Sequence, residues 1–459
     1  MASTTTTTTT TKIIVLDDDP TGSQTVHSCL LLTKWDVETL KVALTDDSSP
    51  LFFVLTNTRG MSPGRAADVT REVCQNLKSA LTTIENITIN PILVSRSDST
   101  LRGHYPVETN IISEELGPFD AHFLIPAFFE GGRITRNGTH YLFSGDNKEL
   151  IPCHETEFAK DSVFGYTTAY LPDYVAEKTK GQIPSERVEH FTLSEVQGDC
   201  SDRLLSLSDN TCCVVDCEEQ SDLDNFAKQL KDVVALSASS GDRPRKFLFR
   251  SGASILTSLA MLPPQPIPAQ DMCQYVRDGR PGAVVVGSHV KKTSLQLIEL
   301  LKEDSVVGLE IDVERIRKNE QEEMLAETLA RIEEVHAAGT TPVIYTSRTE
   351  LTDFGSDQER LQFGESVSGF LMDVVERLPP TLGFLISKGG ITSNDVLSKG
   401  LALRTSRVLG QILPGCSVVK CPSDHPRYSS MPVVIFPGNV GNEFGLVTTY
   451  RRFSSPSLS

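Results

Sequence analysis

The sequence predicts an α/β fold of two domains, each with a mostly parallel sheet flanked by helices. Three observations carry that expectation. Short all-apolar runs such as Ile13-Ile14-Val15-Leu16 recur along the chain, the pattern of strands buried on both faces. Helix-like stretches separate them, which demands crossover connections and parallel pairing. At 459 residues the chain exceeds one ordinary core, and a proline-rich stretch at 263–282 interrupts the pattern.

Taken in order, the start MASTTTTTTTTK has no apolar core and reads as neither signal peptide nor membrane span. Residues 1–11 are expected to form a disordered threonine-rich tail. A first domain spans 12–262, with strands at 51–55, 91–95, 121–125, 212–216 and 246–250. The last two lead into the amphipathic LDNFAKQLKDVVAL and into GASILTSLAML. Residues 263–282 read as a linker. A second domain spans 283–450, with strands at 283–287, 306–313, 341–347, 382–390 and 431–439, and 451–459 is a short tail. An amphipathic stretch around 316–337 supplies one long helix.

A net charge of −17 argues against nucleic acid or an anionic membrane as the main partner. The ten cysteines form no Cys-x-x-Cys pair, Cys213 and Cys217 coming closest, so structural zinc is not expected. Reduced thiols and a cytoplasmic location are the expectation, and the sequons at Asn86 and Asn137 then carry no weight. The oligomeric state stays open, a homodimer included.

In open α/β sheets ligands bind beyond the carboxyl ends of the strands. In the first domain four such loops stand out: DDDPTGSQ (17–24), TNTRG (56–60), SRSDSTLRGH (95–104) and PAFFEGGRITRNGTHY (126–141). Arg59, Arg96, Arg102 and Arg133 are concentrated there although the chain is acidic. Guanidinium groups hold carboxylates through paired hydrogen bonds, and the neighbouring aspartates and hydroxyls suit a polyol. A small hydroxylated acid is the expected ligand, with Asp18, Asp98, Ser99 and Gly132 as further contacts. His27, His104 and His140 lack a second histidine at helical spacing and read as hydrogen-bonded loop residues.

The second domain offers VVGSHVKKT (285–293), SKGGITSNDV (387–396) and PGNVGNEFG (437–445). Glycine and serine let the backbone approach a phosphate, and a following helix presents free N–H groups. Lys388 could add positive charge, and Asn439 lies in the same set. No Walker motif is present, so each loop alone is weak evidence while three in one domain are stronger. An anionic polyol on one domain and nucleotide phosphates on the other point to phosphoryl transfer. The Asp17-Asp18-Asp19 cluster then supplies a base for the attacking hydroxyl and a contribution to magnesium binding, with the metal ligands themselves unassigned.

The motifs DDDPTGSQ, SRSDSTLRG and PAFFEGGRIT, followed by VVGSHVKKTSLQL, KGGITSNDVL and PGNVGNEFG, resemble those of the four-carbon acid sugar kinases, over roughly residues 12–450. The resemblance implies a first domain that binds the sugar acid and a second that binds ATP. It implies phosphorylation at the C4 hydroxyl of a 3-oxo-tetronate, threonate or erythronate, with ATP and Mg²⁺ as cofactors. ATP contacts would fall on Ser288, on Gly389, Gly390, Ile391 and Thr392, and on Gly438. Asp18, Arg59, Asp98 and Arg102 would face the sugar acid. Arg96 stands where many relatives have lysine, and PGNVG replaces a more usual Gly-Asn-Phe-Gly. His154, Glu155, Thr156 and Asp161 are candidates to close over the substrate.

Two other readings compete: a binding protein that has lost catalysis, and an aldolase or isomerase of the same sugars, for which no Schiff-base lysine or metal triad is evident. Within the cluster, Asp18 is expected as the base, Asp19 as its reserve and Asp98 as an orienting partner. Asp17 is expected to hold N–H groups of the turn at Thr21-Gly22.

Overall fold

The computed structural model describes residues 8–85, 87–144, 149–239, 243–348 and 353–454. The chain divides into two compact units, Met1–Pro263 and Pro264–Ser459. In the first unit the strands are β1 (Thr8–Asp17), β2 (Leu30–Leu32), β3 (Leu51–Leu55), β4 (Ile87–Arg96), β5 (Ala121–Ile125), β6 (Arg133–Arg136), β7 (Thr139–Ser144), β8 (Glu149–Pro152), β9 (Glu189–Phe191), β10 (Thr211–Val215) and β11 (Phe247–Ser251). A parallel sheet runs in the order β2-β3-β1-β4-β11-β5-β10-β9. From β1 the chain moves to β2 and β3 on one side and to β4 on the other, so the gap between β1 and β4 is the topological switch point. Register aligns the strand tips there: Asp17 pairs with Leu55 and with Arg96, which in turn pairs with Ser251.

Burial explains why these segments are strands. Ile13 to Leu16 and Leu51 to Leu55 are at most 5% exposed, as strands covered on both faces must be. The helix Pro63–Thr83 starts at Ser62, whose side chain accepts from the Arg65 N–H. Its buried Ala66, Val69, Val73, Leu77 and Ala80 keep helical spacing against the sheet. Phe123 packs among Phe226, Phe247 and Phe249 with centroids 5.4–5.5 Å apart, which anchors β5 and β11.

The second unit has β12 (Ala283–Val286), β13 (Val306–Ile311), β14 (Thr341–Thr346), β15 (Leu385–Lys388), β16 (Thr405–Leu413), β17 (Cys416–Lys420) and β18 (Pro432–Phe436), ordered β13-β14-β12-β15-β18-β17-β16. The pairs from β13 to β18 are parallel, while β17 runs antiparallel to both neighbours. The switch point here lies between β12 and β15.

Several expectations change. Thr8–Thr11 are not tail but strand, pairing with Ile87–Asn90. Residues 1–7 lie outside the described ones. The stretch expected as a linker packs from Pro264 onward on the second unit: Met272 is fully buried, and the Gln265 side chain bonds both backbone groups of Gln411. The helix Gly445–Ser454 runs past 450 because Tyr450 and Phe453 pack on Phe384. The hairpin β6-β7 turns at Asn137-Gly138, both at positive φ, a strong hairpin signal that the α/β reading passed over. Among the described residues no helix is long and apolar enough to cross a membrane. None of the ten cysteines is in a disulfide.

Candidate functional site

At the first switch point the three aspartates take three different environments. Asp17, still in β1, is fully buried, and neither carboxylate oxygen has a hydrogen-bond partner among the described residues. Arg96 Nη1 is 3.9 Å away. Burial pushes the Asp17 carboxyl well above the usual range; Arg96 opposes this and the neighbouring Asp18 and Asp19 reinforce it. A Cβ at Gly22 would lie 2.0 Å from the Asp17 oxygens, so the turn must carry glycine there. The turn anchor is Asp19, not Asp17: its Oδ1 accepts from Thr21 N at 2.9 Å and Thr21 Oγ1 at 2.5 Å.

Asp18 is 1% exposed with both oxygens engaged, by Arg59 Nη2 at 2.5 Å and by the Ser97 hydroxyl at 2.6 Å. Each Asp18 oxygen thus accepts one hydrogen bond, and the carboxylate holds the Arg59 guanidinium in place. Asp19 keeps a side chain 22% exposed, with Oδ2 only 3.4 Å from Arg59 Nη1. For Asp19, burial favours the neutral acid, but Arg59 and Thr21 outweigh it and hold the carboxyl below the usual range.

Asp98 Oδ2 accepts from Arg102 Nε at 2.6 Å and from the Thr100 hydroxyl. Burial would raise its pKa, yet Arg59 and Arg102 overcome this and keep Asp98 strongly acidic. Arg102 also lies 3.7 Å from Asp161 and stacks at 5.0 Å over Phe158. Of the residues expected to close over the substrate, Asp161 thus reaches Arg102, whereas His154 and Thr156 bond the local backbone at Ala169 and Cys153. Arg133 stacks at 5.5 Å over Phe128, and burial lowers its pKa against the pull of Asp98. Gly132 is a turn residue at φ +70°, its N–H and carbonyl spent on Phe129 and Phe143. Ser99 is 5% exposed, and its carbonyl accepts from His140 Nε2 at 2.8 Å. The other two loop histidines read from the sequence are backbone-bonded too, His27 to Pro263 and His104 to Thr58 and Met61.

Behind these residues sits a buried pair that the sequence reading missed. Arg250 donates to Glu108 at 2.6 Å, to Ser95 at 2.7 Å and to Ser97 at 2.7 Å. Ser97 carries that order to Asp18 and so to Arg59. A small recess is lined by Ser97, Asp98, Arg102, Tyr174 and Arg250. The Nε groups of Arg59, Arg96 and Arg133 are buried with no hydrogen-bond partner among the described residues. Buried donors rarely stay unpaired without a ligand or water to meet them.

The second switch point is built from backbone. Gly389, at φ +120°, donates to Phe436 O at 2.8 Å, which ties the tips of β15 and β18. A Cβ at Gly389 would press on Ser288 and Thr392, and one at Gly287 on Thr392, so these loops are closely packed. Gly438 differs, since its Cβ would meet nothing nearer than 3.6 Å. Internal packing does not require glycine there: a Cβ would only make ordinary contacts with Ser288 and Val290. Gly390 begins the helix Gly390–Asp395, and Ile391 points outward, 74% exposed. Lys388 is not in front of the loops but beneath them: it is fully buried, with Nζ bonded to Pro437 O at 2.5 Å and Gly438 O at 3.1 Å. Arg348, after β14, was also missed; it donates to Ser288 O at 2.6 Å and keeps Nη1 unpaired among the described residues.

A sugar-binding N-terminal domain model matches residues 13–259, and a nucleotide-binding C-terminal domain model matches residues 283–446. This chain belongs to the four-carbon acid sugar kinase family. Its fold is that of Haemophilus influenzae protein HI1011, of family DUF1537, at a TM-score of 0.63 and 18% identity, covering 96% of this chain and 100% of that one. A Salmonella typhimurium LT2 protein described provisionally as a tRNA synthase gives a TM-score of 0.68 at 18% identity, covering 96% and 99%. No curated protein matches the chain. The first unit is accordingly a sugar-binding domain and the second a nucleotide-binding domain of this family.

Proposed function

We propose that the chain is a cytoplasmic ATP-dependent kinase that phosphorylates the C4 hydroxyl of a four-carbon sugar acid, a 3-oxo-tetronate, threonate or erythronate. The observation that carries this reading is the set of buried, unpaired Nε donors on Arg59, Arg96 and Arg133 in a sugar-binding domain. An acid rich in hydroxyls would supply the acceptors that the protein lacks. Arg102, 27% exposed, is the contact for the carboxylate, and Asp19 is the base that receives the C4 proton as the γ-phosphoryl group transfers. Ser288, the 389–392 turn and Gly438 receive the ATP phosphates through backbone donors.

Magnesium would accompany the nucleotide. In the aspartate cluster Asp17 is sealed behind Gly22 and Asp18 is engaged by Arg59 and Ser97, which leaves the partly exposed Asp19 as the carboxylate that would reach such an ion. Among the described residues no group of three or more acidic, histidine or cysteine side chains is arranged for a metal. The test is phosphorus NMR after incubation with Mg·ATP and a panel of four-carbon acids. A phosphomonoester signal coupled to the C4 protons is expected from at least one acid; ATP turnover without such a product would sink the proposal.

A further inference from the structure

The loop after β18 has its carbonyl groups tied one after another to side chains. Lys388 Nζ takes Pro437 O and Gly438 O, Lys292 Nζ takes Asn439 O at 3.1 Å, and Gln296 Nε2 takes Val440 O at 3.0 Å and Asn442 O at 2.7 Å. In a planar trans peptide the C=O of one residue and the N–H of the next point in opposite directions. Each tether therefore turns the following N–H away from itself. The N–H groups of Gly438, Asn439, Val440 and Gly441 make no hydrogen bond among the described residues. A row of outward N–H groups is an anion-binding concavity.

Lys388 is the least replaceable of the three tethers. It is fully buried, spans two carbonyls, and its ammonium stands 4.2 Å from the Phe436 ring centroid. An ordinary phosphate-binding lysine reaches the ligand from the front, whereas this one has no exposed surface from which to do so. We propose that Lys388 is a positioning residue that sets the phosphate affinity of the nucleotide-binding domain from behind, by holding the 437–438 carbonyls so that the loop's N–H groups face the phosphates. This inference rests on the nucleotide reading of the second unit.

The geometry also gives the device a proton dependence. Burial brings the Lys388 ammonium down to about 7, with Lys292 adding to the fall and the buried Cys416 thiol opposing it. Cys416, from β17, and Lys292, from the helix Lys291–Leu300, are the titratable groups that face it, and the Cys416 thiol is itself pushed far up by burial. A protonated Lys388 holds both carbonyls more tightly and adds a positive charge behind the phosphates. Affinity should thus be highest below about pH 7 and decline as pH rises through that value. Phosphates in front should in turn raise the lysine's pKa, so binding near pH 8 takes up protons.

Calorimetric titration with Mg·ATP, Mg·ADP and adenosine tests this, in two buffers of different ionisation enthalpy. Lys388→Met should weaken ATP by about tenfold or more, the loss of roughly one charge-assisted bond, while adenosine binding changes little. Proton uptake at pH 8 should be present in the wild type and absent in the variant. Lys388→Gln keeps two donors without the charge and serves if Lys388→Met loses its cooperative melt; Lys292→Met, at an exposed tether, should cost only a few-fold. A folded Lys388 variant that binds ATP within twofold of the wild type, with unchanged proton uptake, overturns the inference. A wild type that binds no nucleotide at all overturns the reading of the unit and the inference with it.

Discussion

The two switch points use one construction with different distributions of charge. In the sugar-binding domain the loop after β4 also has its carbonyls tied from behind: Ser99 O by His140, Thr100 O by Tyr166 at 2.8 Å and Leu101 O by Tyr174 at 2.7 Å. Those tethers are neutral. Burial takes His140 down to about 4 and pushes both tyrosines up, so none changes charge near neutral pH. The charge there stands in front, on Arg59, Arg102 and Arg133. In the nucleotide-binding domain charge also sits in the tethers, Lys388 and Lys292, and the loops in front offer backbone donors with the Arg348 guanidinium beside Ser288. A small acid has few groups, each needing a fixed direction, which planar guanidinium groups supply. A polyphosphate chain is met by a row of equivalent N–H donors.

That contrast predicts where substitutions hurt. The largest effect belongs to Asp19→Asn, which removes the one aspartate of the cluster that is partly exposed; kcat should fall by about 10²–10⁴ with ATP binding intact. Stopped-flow or steady-state rates near wild type would send the base assignment elsewhere. Next comes Arg102→Ala. Loss of a charge-assisted contact should weaken sugar-acid binding by roughly 2–4 kcal/mol, read by calorimetry, and leave the KM for ATP in place.

In the other domain side chains should matter less than shape. Gly438→Val puts bulk beside Ser288 and Val290 at the front of the loop and should raise the KM for ATP by about tenfold or more, whereas Asn439→Ala, whose contribution is its backbone, should stay within about twofold. If Asn439→Ala proves as damaging as Gly438→Val, the front of the loop is not backbone alone and the contrast between the domains weakens.

The same contrast separates what could be read from the sequence. Continuous apolar runs such as Leu51–Leu55 and Ala121–Ile125 announce buried parallel strands, and loops rich in arginine or glycine at their ends announce ligands. Depth does not show in such patterns. Three consecutive aspartates look alike, yet Asp17 is sealed, Asp18 bonded to Arg59 and Ser97, and Asp19 partly open, because successive residues at a strand end turn to different sides. Lys388 looks like a loop lysine, but as the last residue of β15 it falls on the buried side. Arg250 and Glu108 are 142 positions apart, and only the packing of β11 against the helix Val107–Leu116 joins them. The hairpin β16-β17 and the helix Asp357–Glu376 went unread because neither ends in a loop that carries chemistry.

The carboxylate of the sugar is what the front arginines are for, so comparing an acid with its aldehyde addresses the account most directly. Coupled ADP release should be measured side by side with erythronate, threonate and the matching aldoses, erythrose and threose, at saturating Mg·ATP. The account expects ADP release with at least one acid and kcat/KM lower by about tenfold or more for its aldose, the guanidinium groups then lacking a partner. Equal turnover of acid and aldose would contradict it.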